Sequence, residues 1–377
     1  MSVSGSELKS ALRKTEFPFC AREALSRVAM LLHFVPEQLT QNTGRPPSIK
    51  HLDLAMDLMA EFIFCEVERR GGKRKKLTCI QELQLLEVLC DYFSFRGVNN
   101  DSTCNTVFMS LFPPTNMERC RFLAKLVSMA ISTKNTPVLS ATGIWMQQLG
   151  CTSKVSMELV RGLVKDYFVL VPKAVSVLQD LPQLAPHFTA NFLTAVADMY
   201  GSEDKKNVTN PPPNALLEII TRWIAENPTL CAAALNAAPM VVTSVGAHST
   251  PVTPFAGLFK WCILAPVLGW EEDSTHQYWR LQLALLESTL EQPCEGAVSA
   301  RHLGQMLITP LLSASCHSRN RKCQQLALDR LAQAIQVLMA QNAIVGNTQE
   351  LLSQLELLPE NRLLSLVIKK HKVITIV

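Results

Sequence analysis

The stretch TCIQELQLLEVLCDYF, residues Thr78–Phe93, decides the fold class of this chain. Apolar residues such as Ile80 and Leu83 recur three or four positions apart, and polar residues occupy the opposite face. This period is that of an α-helix with one buried side. Thr78 stands three residues before Gln81, the spacing at which a threonine hydroxyl and a glutamine side chain cap a helix start. The stretch therefore predicts an amphipathic helix that begins at Thr78 and buries its apolar stripe.

The same helical pattern recurs in both directions from this stretch. Pro137 opens a segment that Gly150 closes, Ser153 is placed to cap the next one, and Pro172 ends it. Proline is tolerated in the first turn of a helix and glycine commonly follows the last turn, so these positions mark helix boundaries. Alternation typical of a strand is confined to Val373–Val377. We therefore predict an all-α fold.

The arrangement of these helices is expected to be an irregular α-solenoid, in which helix pairs stack as in HEAT or armadillo proteins. Short proline-marked turns and apolar residues on more than one helix face favour such stacking. A strict repeat consensus is not recognisable, so an irregular helical bundle is the alternative. The stretch Gly201–Pro213 contains three prolines and is predicted to link an N-terminal helical half, 1–200, to a C-terminal half, 214–377. One continuous array remains the alternative to two halves.

Composition excludes several classes of protein. The 377 residues carry a net charge of +4 with acidic and basic residues interspersed, so no dominant field attracts nucleic acid or anionic lipid. The 12 cysteines stand singly without a CxxC pair, which predicts reduced, mostly buried thiols. No apolar run reaches the roughly 20 residues of a membrane helix, and the N-terminus lacks a signal-peptide core. We expect a soluble cytosolic or nuclear protein.

Catalytic and cofactor-binding motifs are missing from the sequence. GxSxG, GxxxxGK, GxGxxG after a strand and HExxH are all absent. The nearest approach to a metal cluster is Cys316, His317 and Cys323, whose spacing is poor for zinc. We therefore predict no enzyme, no cofactor, no metal and no small-molecule substrate.

A basic run, RRGGKRKK, occupies Arg69–Lys76. Its six positive charges surround a Gly-Gly pair and are predicted to be accessible to the phosphates of RNA or to an import receptor. A solvated interhelical loop explains the run equally well. No aromatic residues interleave with it, so sequence-specific recognition of single strands is not expected. The candidate import or phosphate contacts are Arg69, Arg70, Lys73, Arg74, Lys75 and Lys76.

Five tryptophans lie in apolar helical stretches. Large aromatic residues in such stretches usually belong to the core, and the alternative is that some of them anchor partners. Burial cannot be read from the sequence, so none is singled out as an interface anchor. They are Trp145, Trp223, Trp261, Trp270 and Trp279.

Eight blocks of the chain resemble, in the same order, the Integrator complex subunit 15 family. They include the unusual strings KLVSMA and DRLAQA, and together they extend over roughly residues 49–368. The blocks are Ile80–Phe93, Ala124–Ala130, Pro137–Gln147, Leu163–Pro172, Leu216–Leu230, Thr253–Pro266, Leu326–Ala340 and Leu363–Ile368.

This resemblance implies a non-catalytic helical component of the nuclear Integrator complex. Such a component is expected to join a peripheral module, built from the tenth, thirteenth and fourteenth subunits, to the rest of the assembly. The complex acts in 3′-end processing of small nuclear RNA and in termination by RNA polymerase II. The alternative is a nucleic-acid-binding helical repeat protein that uses the basic run 69–76.

Overall fold

A computed structural model of the chain describes residues 5–40, 49–67, 77–96, 101–170, 172–200, 210–233, 253–271, 275–292, 296–312 and 321–374. Over these residues the chain is almost entirely helical, and the two strands have two residues each. The predicted all-α fold is confirmed. Val373 and Ile374 belong to the last helix, so the strand-like alternation there did not indicate a strand.

The chain divides into two compact units, residues 1–145 and 146–377. The helices that begin in the first unit are α1 Gly5–Arg13, α2 Phe19–Thr40, α3 Ile49–Leu58, α4 Cys79–Arg96, α5 Asp101–Leu111, α6 Met117–Ser132 and α7 Thr136–Leu149. The second unit contains α8 Lys154–Val164, α9 Leu181–Leu184, α10 Pro186–Met199, α11 Asn214–Glu226, α12 Phe255–Leu268, α13 Thr275–Glu291, α14 Ala300–Leu303, α15 Arg321–Ala340, α16 Thr348–Leu355 and α17 Arg362–Ile374.

Short irregular elements connect or extend these helices. The strands β1 and β2 pair in parallel within the second unit. π-Helical turns occupy Met59–Ile63, Lys165–Leu170 and Gly304–Ile308, 3-10 turns occupy Pro172–Leu178 and Leu230–Ala232, and the strands are β1 Val298–Ser299 and β2 Ile344–Val345.

The predicted linker 201–213 lies inside the second unit. Helices α10 and α11 lie on either side of it, and residues 201–209 are outside the described residues. The division into halves at this stretch stays a prediction.

Helix α4 shows both a confirmed prediction and a wrong one. Thr78 N donates to Gln81 Oε1 at 3.0 Å and Gln81 N donates to Thr78 Oγ1 at 3.3 Å, so the predicted cap is present. Ile80 and Leu83, however, are 72% and 51% exposed. The buried side of α4 is the row that contains Leu85 and its apolar neighbours, which packs on α2 and α6. The apolar stripe of α4 is therefore wider than the part of the helix surface that α2 and α6 cover.

The second unit is built around α12. Side chains from Phe255 to Pro266 are buried, apart from half-buried Lys260, because α10, α13 and α15 all pack against this helix. A Cβ atom at Gly257 would lie 2.6 Å from Ala197 Cβ, so glycine is required for the close approach of α10. A helix surrounded on several sides favours the bundle alternative for this unit. The α-solenoid stays a prediction.

Pro266 lies within α12 and leaves one backbone carbonyl without its helical partner. A proline has no N–H, so the carbonyl four residues earlier, at Cys262, cannot accept its usual bond. Arg330 of α15 replaces that donor, because its Nη1 lies 2.8 Å from Cys262 O. The same nitrogen donates to Glu271 Oε1 at 2.5 Å. The arginine side chain is 4% exposed, so the carboxylate supplies the opposite charge that a buried guanidinium requires.

Most tryptophans are core residues, as predicted. Trp145, Trp223, Trp261 and Trp270 are buried, and each of the first three donates its indole N–H to a backbone carbonyl. Trp279 is 37% exposed, so the prediction is wrong for this residue.

The described cysteines are free thiols, and five of these ten are buried. Burial raises the pKa of Cys151 to about 11, so this thiol is protonated near neutral pH.

The bond between Arg330 and Cys262 O can be measured by a double-mutant cycle. We expect Arg330→Met to lower the free energy of unfolding by about 3 kcal/mol, because Glu271 and the carbonyl both lose the hydrogen bond from Arg330. In a Pro266→Ala background the new N–H at 266 can serve Cys262 O, so the same change should cost about 1 kcal/mol less. Urea denaturation of the four forms gives the coupling. Equal costs in the two backgrounds would show that Arg330 does not replace the missing helical donor.

Candidate functional site

A groove of about 880 Å³ opens on the first unit. Its walls come from the chain after the first π-helical turn, the start of α4, and α6. Side chains that define it are Phe64, Glu66, Leu77, Arg119, Phe122 and Lys125. A concave surface that combines aromatic side chains with convergent charges is a common form of binding site.

One wall of the groove depends on an irregular backbone. After the π-helical turn Met59–Ile63, Cys65 takes a φ of 51°, a conformation that residues other than glycine seldom adopt. Glu66 N still donates to Ala60 O at 2.7 Å, which holds the turn closed. Inside the turn, buried Glu61 accepts from Arg13 Nε at 2.8 Å. These contacts fix the direction in which the chain leaves the turn toward Glu66.

Arg119 is the central charged residue of the groove. Its Nε and Nη2 donate to the two oxygens of Glu66 at 2.8 and 2.6 Å, and its guanidinium carbon lies 4.4 Å from the centre of the Phe64 ring. Asn116, which caps α6 by accepting from Arg119 N, also donates to Glu66 at 3.0 Å. Paired and stacked in this way, a nearly buried guanidinium holds α6 against the irregular turn.

Aromatic rings support the floor of the groove. Phe64 makes edge contacts with Phe112 and Phe122, with ring centres 6.2 and 6.0 Å apart. Phe112 continues to Phe108 at 5.1 Å, and Phe108 continues to Phe93 at 5.3 Å. Edge-to-face contacts of this kind favour a single packing arrangement. The floor of the groove therefore continues into the aromatic core of the first unit.

The charges that line the groove are balanced. Glu66, Glu82 and Glu118 lie among its residues together with Arg119 and two exposed cations, Arg121 and Lys125. Lys125 pairs with Glu82 at 2.6 Å. The groove presents a mixed polar rim around a floor of phenylalanines, which suits a segment of another protein better than a small charged substrate.

The basic run predicted from the sequence, Arg69–Lys76, lies outside the described residues. Glu66 and Leu77, which are described, both line the groove. Cys316 and His317 also lie outside, and Cys323 is half-buried in α15. Within the part of the chain that the structure describes, no three His, Cys, Asp or Glu side chains are grouped to hold a metal ion. In that same part, no helix is long and apolar enough to cross a bilayer.

Sequence reasoning missed Phe64, Glu66 and Arg119. The pair Glu66–Arg119 joins positions far apart in the chain, and no local sequence pattern predicts it. Asn116 does carry a local signal, since asparagine before a helical segment is a typical cap.

The sequence matches the family model of Integrator complex subunit 15 over residues 6–360. The chain belongs to this family. It is 34% identical to Integrator complex subunit 15 of Drosophila melanogaster, with 99% of both chains aligned. It is 31% identical to the Danio rerio protein of that name, over 96% of this chain and 80% of the relative. For the Homo sapiens protein the identity is 31%, over 83% of this chain and 77% of the relative. The resemblance seen in the sequence blocks is confirmed.

Replacing Arg119 with lysine tests whether the planar guanidinium holds the groove. Lysine keeps the charge but loses the two-pronged contact with Glu66 and the stacking on Phe64. We expect Arg119→Lys to lower the free energy of unfolding by about 2 kcal/mol, measured in urea. The matched change at exposed Arg121 should alter it by no more than about 0.5 kcal/mol. Equal effects at the two positions would contradict the role given to Arg119.

Proposed function

We propose that this chain is a non-catalytic scaffold subunit of the nuclear Integrator complex. In this proposal it joins a peripheral module, formed by the tenth, thirteenth and fourteenth subunits, to the rest of the assembly. The complex serves 3′-end processing of small nuclear RNA and termination by RNA polymerase II. Membership of the family supports a place in the Integrator complex, and the exposed apolar rows of the helices support the scaffold role.

The row on α13 is the observation that carries the proposal. Trp279, Leu283 and Leu290 are each more than a third exposed, and they follow one another at helical spacing. On the same helix Gln282 and Thr289 are buried and hydrogen-bonded. The helix thus buries two polar side chains beside Tyr278, Leu281 and Leu285, while the three apolar side chains of the row keep part of their surface in solvent.

An exposed apolar row of this kind is explained by a partner that covers it. Large apolar side chains grouped on a surface typically mark protein–protein contacts. The residues of the row are four and then seven positions apart, which is the spacing at which side chains contact a second helix packed alongside. The exposed Ile80 and Leu83 of α4 supply a second surface of the same character in the first unit. A scaffold that contacts several partners needs more than one such surface.

The second candidate function is nucleic-acid binding through the basic run. Its support is the charge of the run itself, which has six positive side chains within the eight residues Arg69–Lys76. Phosphate contacts of this type weaken steeply as salt rises.

Capture from nuclear extract tests the scaffold proposal. We expect the tagged chain to recover Integrator subunits, and a Trp279→Ala, Leu283→Ser, Leu290→Ser variant to recover them at least about tenfold less, because three apolar contacts are lost. Alanine at exposed Glu218, Arg222 and Glu226, which share one face of α11, is the matched control away from this row and should leave recovery unchanged.

A charge-neutralised variant in the same experiment separates the scaffold function from nucleic-acid binding. It replaces Arg69, Arg70, Lys73, Arg74, Lys75 and Lys76. Recovery of Integrator subunits by this variant, as by the unchanged chain, favours the scaffold. If no form recovers any Integrator subunit, while another tagged subunit does so in the same extract, the scaffold proposal fails. Salt-sensitive RNA binding that disappears with the charges would support the second candidate.

A further inference from the structure

A third apolar surface, distinct from those on α13 and α4, lies on α17 and the two helices α15 and α16 that pack against it. We define the basic leucine face by Leu326, Leu357, Leu363 and Leu366 together with exposed Arg362, Lys369 and Lys370. Leu357, in the turn after α16, is 68% exposed, and Leu366 of α17 is 56% exposed. Leu326 follows Gln325, whose side chain donates to Glu360 O at 3.0 Å. The start of α15 therefore lies beside the start of α17.

The rotation of α17 about its axis is fixed by polar contacts at its start. Asn361 is buried, and its Oδ1 caps the helix by accepting from Leu364 N at 2.9 Å. Its Nδ2 donates to Gln325 Oε1 at 2.9 Å and to Asp329 Oδ1 at 2.8 Å, both on α15. One asparagine therefore caps α17 and attaches it to its neighbour.

The opposite end of α17 is attached as well. Lys372 pairs with Glu356 at 2.7 Å, and the side of α17 that carries Leu364 and Ile368 is buried. Because both ends are held, turning the helix to bury Leu363 and Leu366 would break the cap and the ion pair. The exposure of these leucines is a consequence of how α17 is attached.

The charge beside these leucines is predominantly positive. Arg362, Leu366 and Lys369 follow one another at helical spacing, and Lys370 lies one turn beyond Leu366, so the leucines and the cations share the outward side of α17. Glu356 is paired with Lys372, and Glu360 is exposed at the turn before the helix. A second copy of this chain would bring like charges together on this face, which disfavours self-association.

We propose that the basic leucine face binds an amphipathic helix of a partner protein, whose apolar side carries Leu-sized residues and whose edges carry Asp or Glu. The leucines supply burial and the cations supply orientation and charge pairing along the edges. Aromatic side chains on which bases stack are missing from the residues that define this face, which favours a protein over RNA. The inference deepens the proposed scaffold function and rests on it, because it specifies the chemistry of one partner.

Photo-crosslinking tests the chemistry of the partner directly. The full-length chain carries p-benzoylphenylalanine in place of Leu366, is irradiated in nuclear extract, and the crosslinked segment is sequenced by mass spectrometry. We expect a segment that has acidic residues three or four positions apart beside apolar ones. A crosslink to RNA, lipid, a second copy or a segment without acidic residues overturns the proposal. The same yield and targets from a probe at exposed Ser353 of α16 would do so too.

Charge reversal supplies the matched comparison. Arg362→Glu, Lys369→Glu and Lys370→Glu together should lower the crosslink yield at least about tenfold, because attraction becomes repulsion. The control variant reverses three exposed cations elsewhere in the second unit and makes the same change in net charge, so it should leave the crosslink yield unaltered. Its substitutions are Lys154→Glu, Arg222→Glu and Arg301→Glu. Replacing the acidic residues of the identified segment with lysine should restore its binding to the charge-reversed variant of this chain.

The outcomes separate this inference from the function on which it rests. If the unchanged chain recovers Integrator subunits and the charge-reversed chain gives the same crosslink, the basic leucine face is wrong and the scaffold stands. If no Integrator subunit is recovered, the scaffold fails, and the chemistry of the crosslinked segment still decides whether this face takes an acidic helix.

Discussion

The second unit depends on one buried arginine that repairs an interrupted helix. Pro266 removes the hydrogen bond that Cys262 O would accept inside α12, and Arg330 restores it from α15 while Glu271 balances its charge. A buried carbonyl left without a donor costs about 1 to 3 kcal/mol, so a shift of α15 along α12 that breaks this bond is disfavoured. Helix α15 also holds α17, because Asn361 donates to Gln325 and Asp329 of α15.

The first unit uses a similar solution at its own irregular segment. Cys65 adopts a left-handed conformation after a π-helical turn, and buried Arg119 holds the following Glu66 by two hydrogen bonds. In both units a guanidinium satisfies several acceptors at once, which lysine is less suited to do. In each unit the arginine joins two segments that are distant in sequence.

Local patterns predicted the helical elements well because caps and apolar periodicity act within a few residues. The pairing of Thr78 with Gln81 and the burial of Trp223 and Trp261 follow from such patterns. The exposed side of α4 did not, since Ile80 and Leu83 continue the apolar stripe beyond what neighbouring helices cover. The groove in the first unit depends on a pair distant in sequence, and pairing of that kind is set by tertiary packing. The choice between a solenoid and a bundle, and the division of the chain at 201–213, also depend on long-range packing that local patterns do not encode.

We propose that the exposed apolar rows, held in place by the helical core, are partner-binding surfaces. Hydroxyl-radical footprinting of the full chain, free and after recovery of the assembly from nuclear extract, tests this at the level of side chains. We predict that Trp279, Leu283, Leu363 and Leu366 become protected in the assembly, while core residues such as Trp261 are protected in both states. Unchanged oxidation of the exposed rows in a chain that is bound to Integrator subunits would contradict the account.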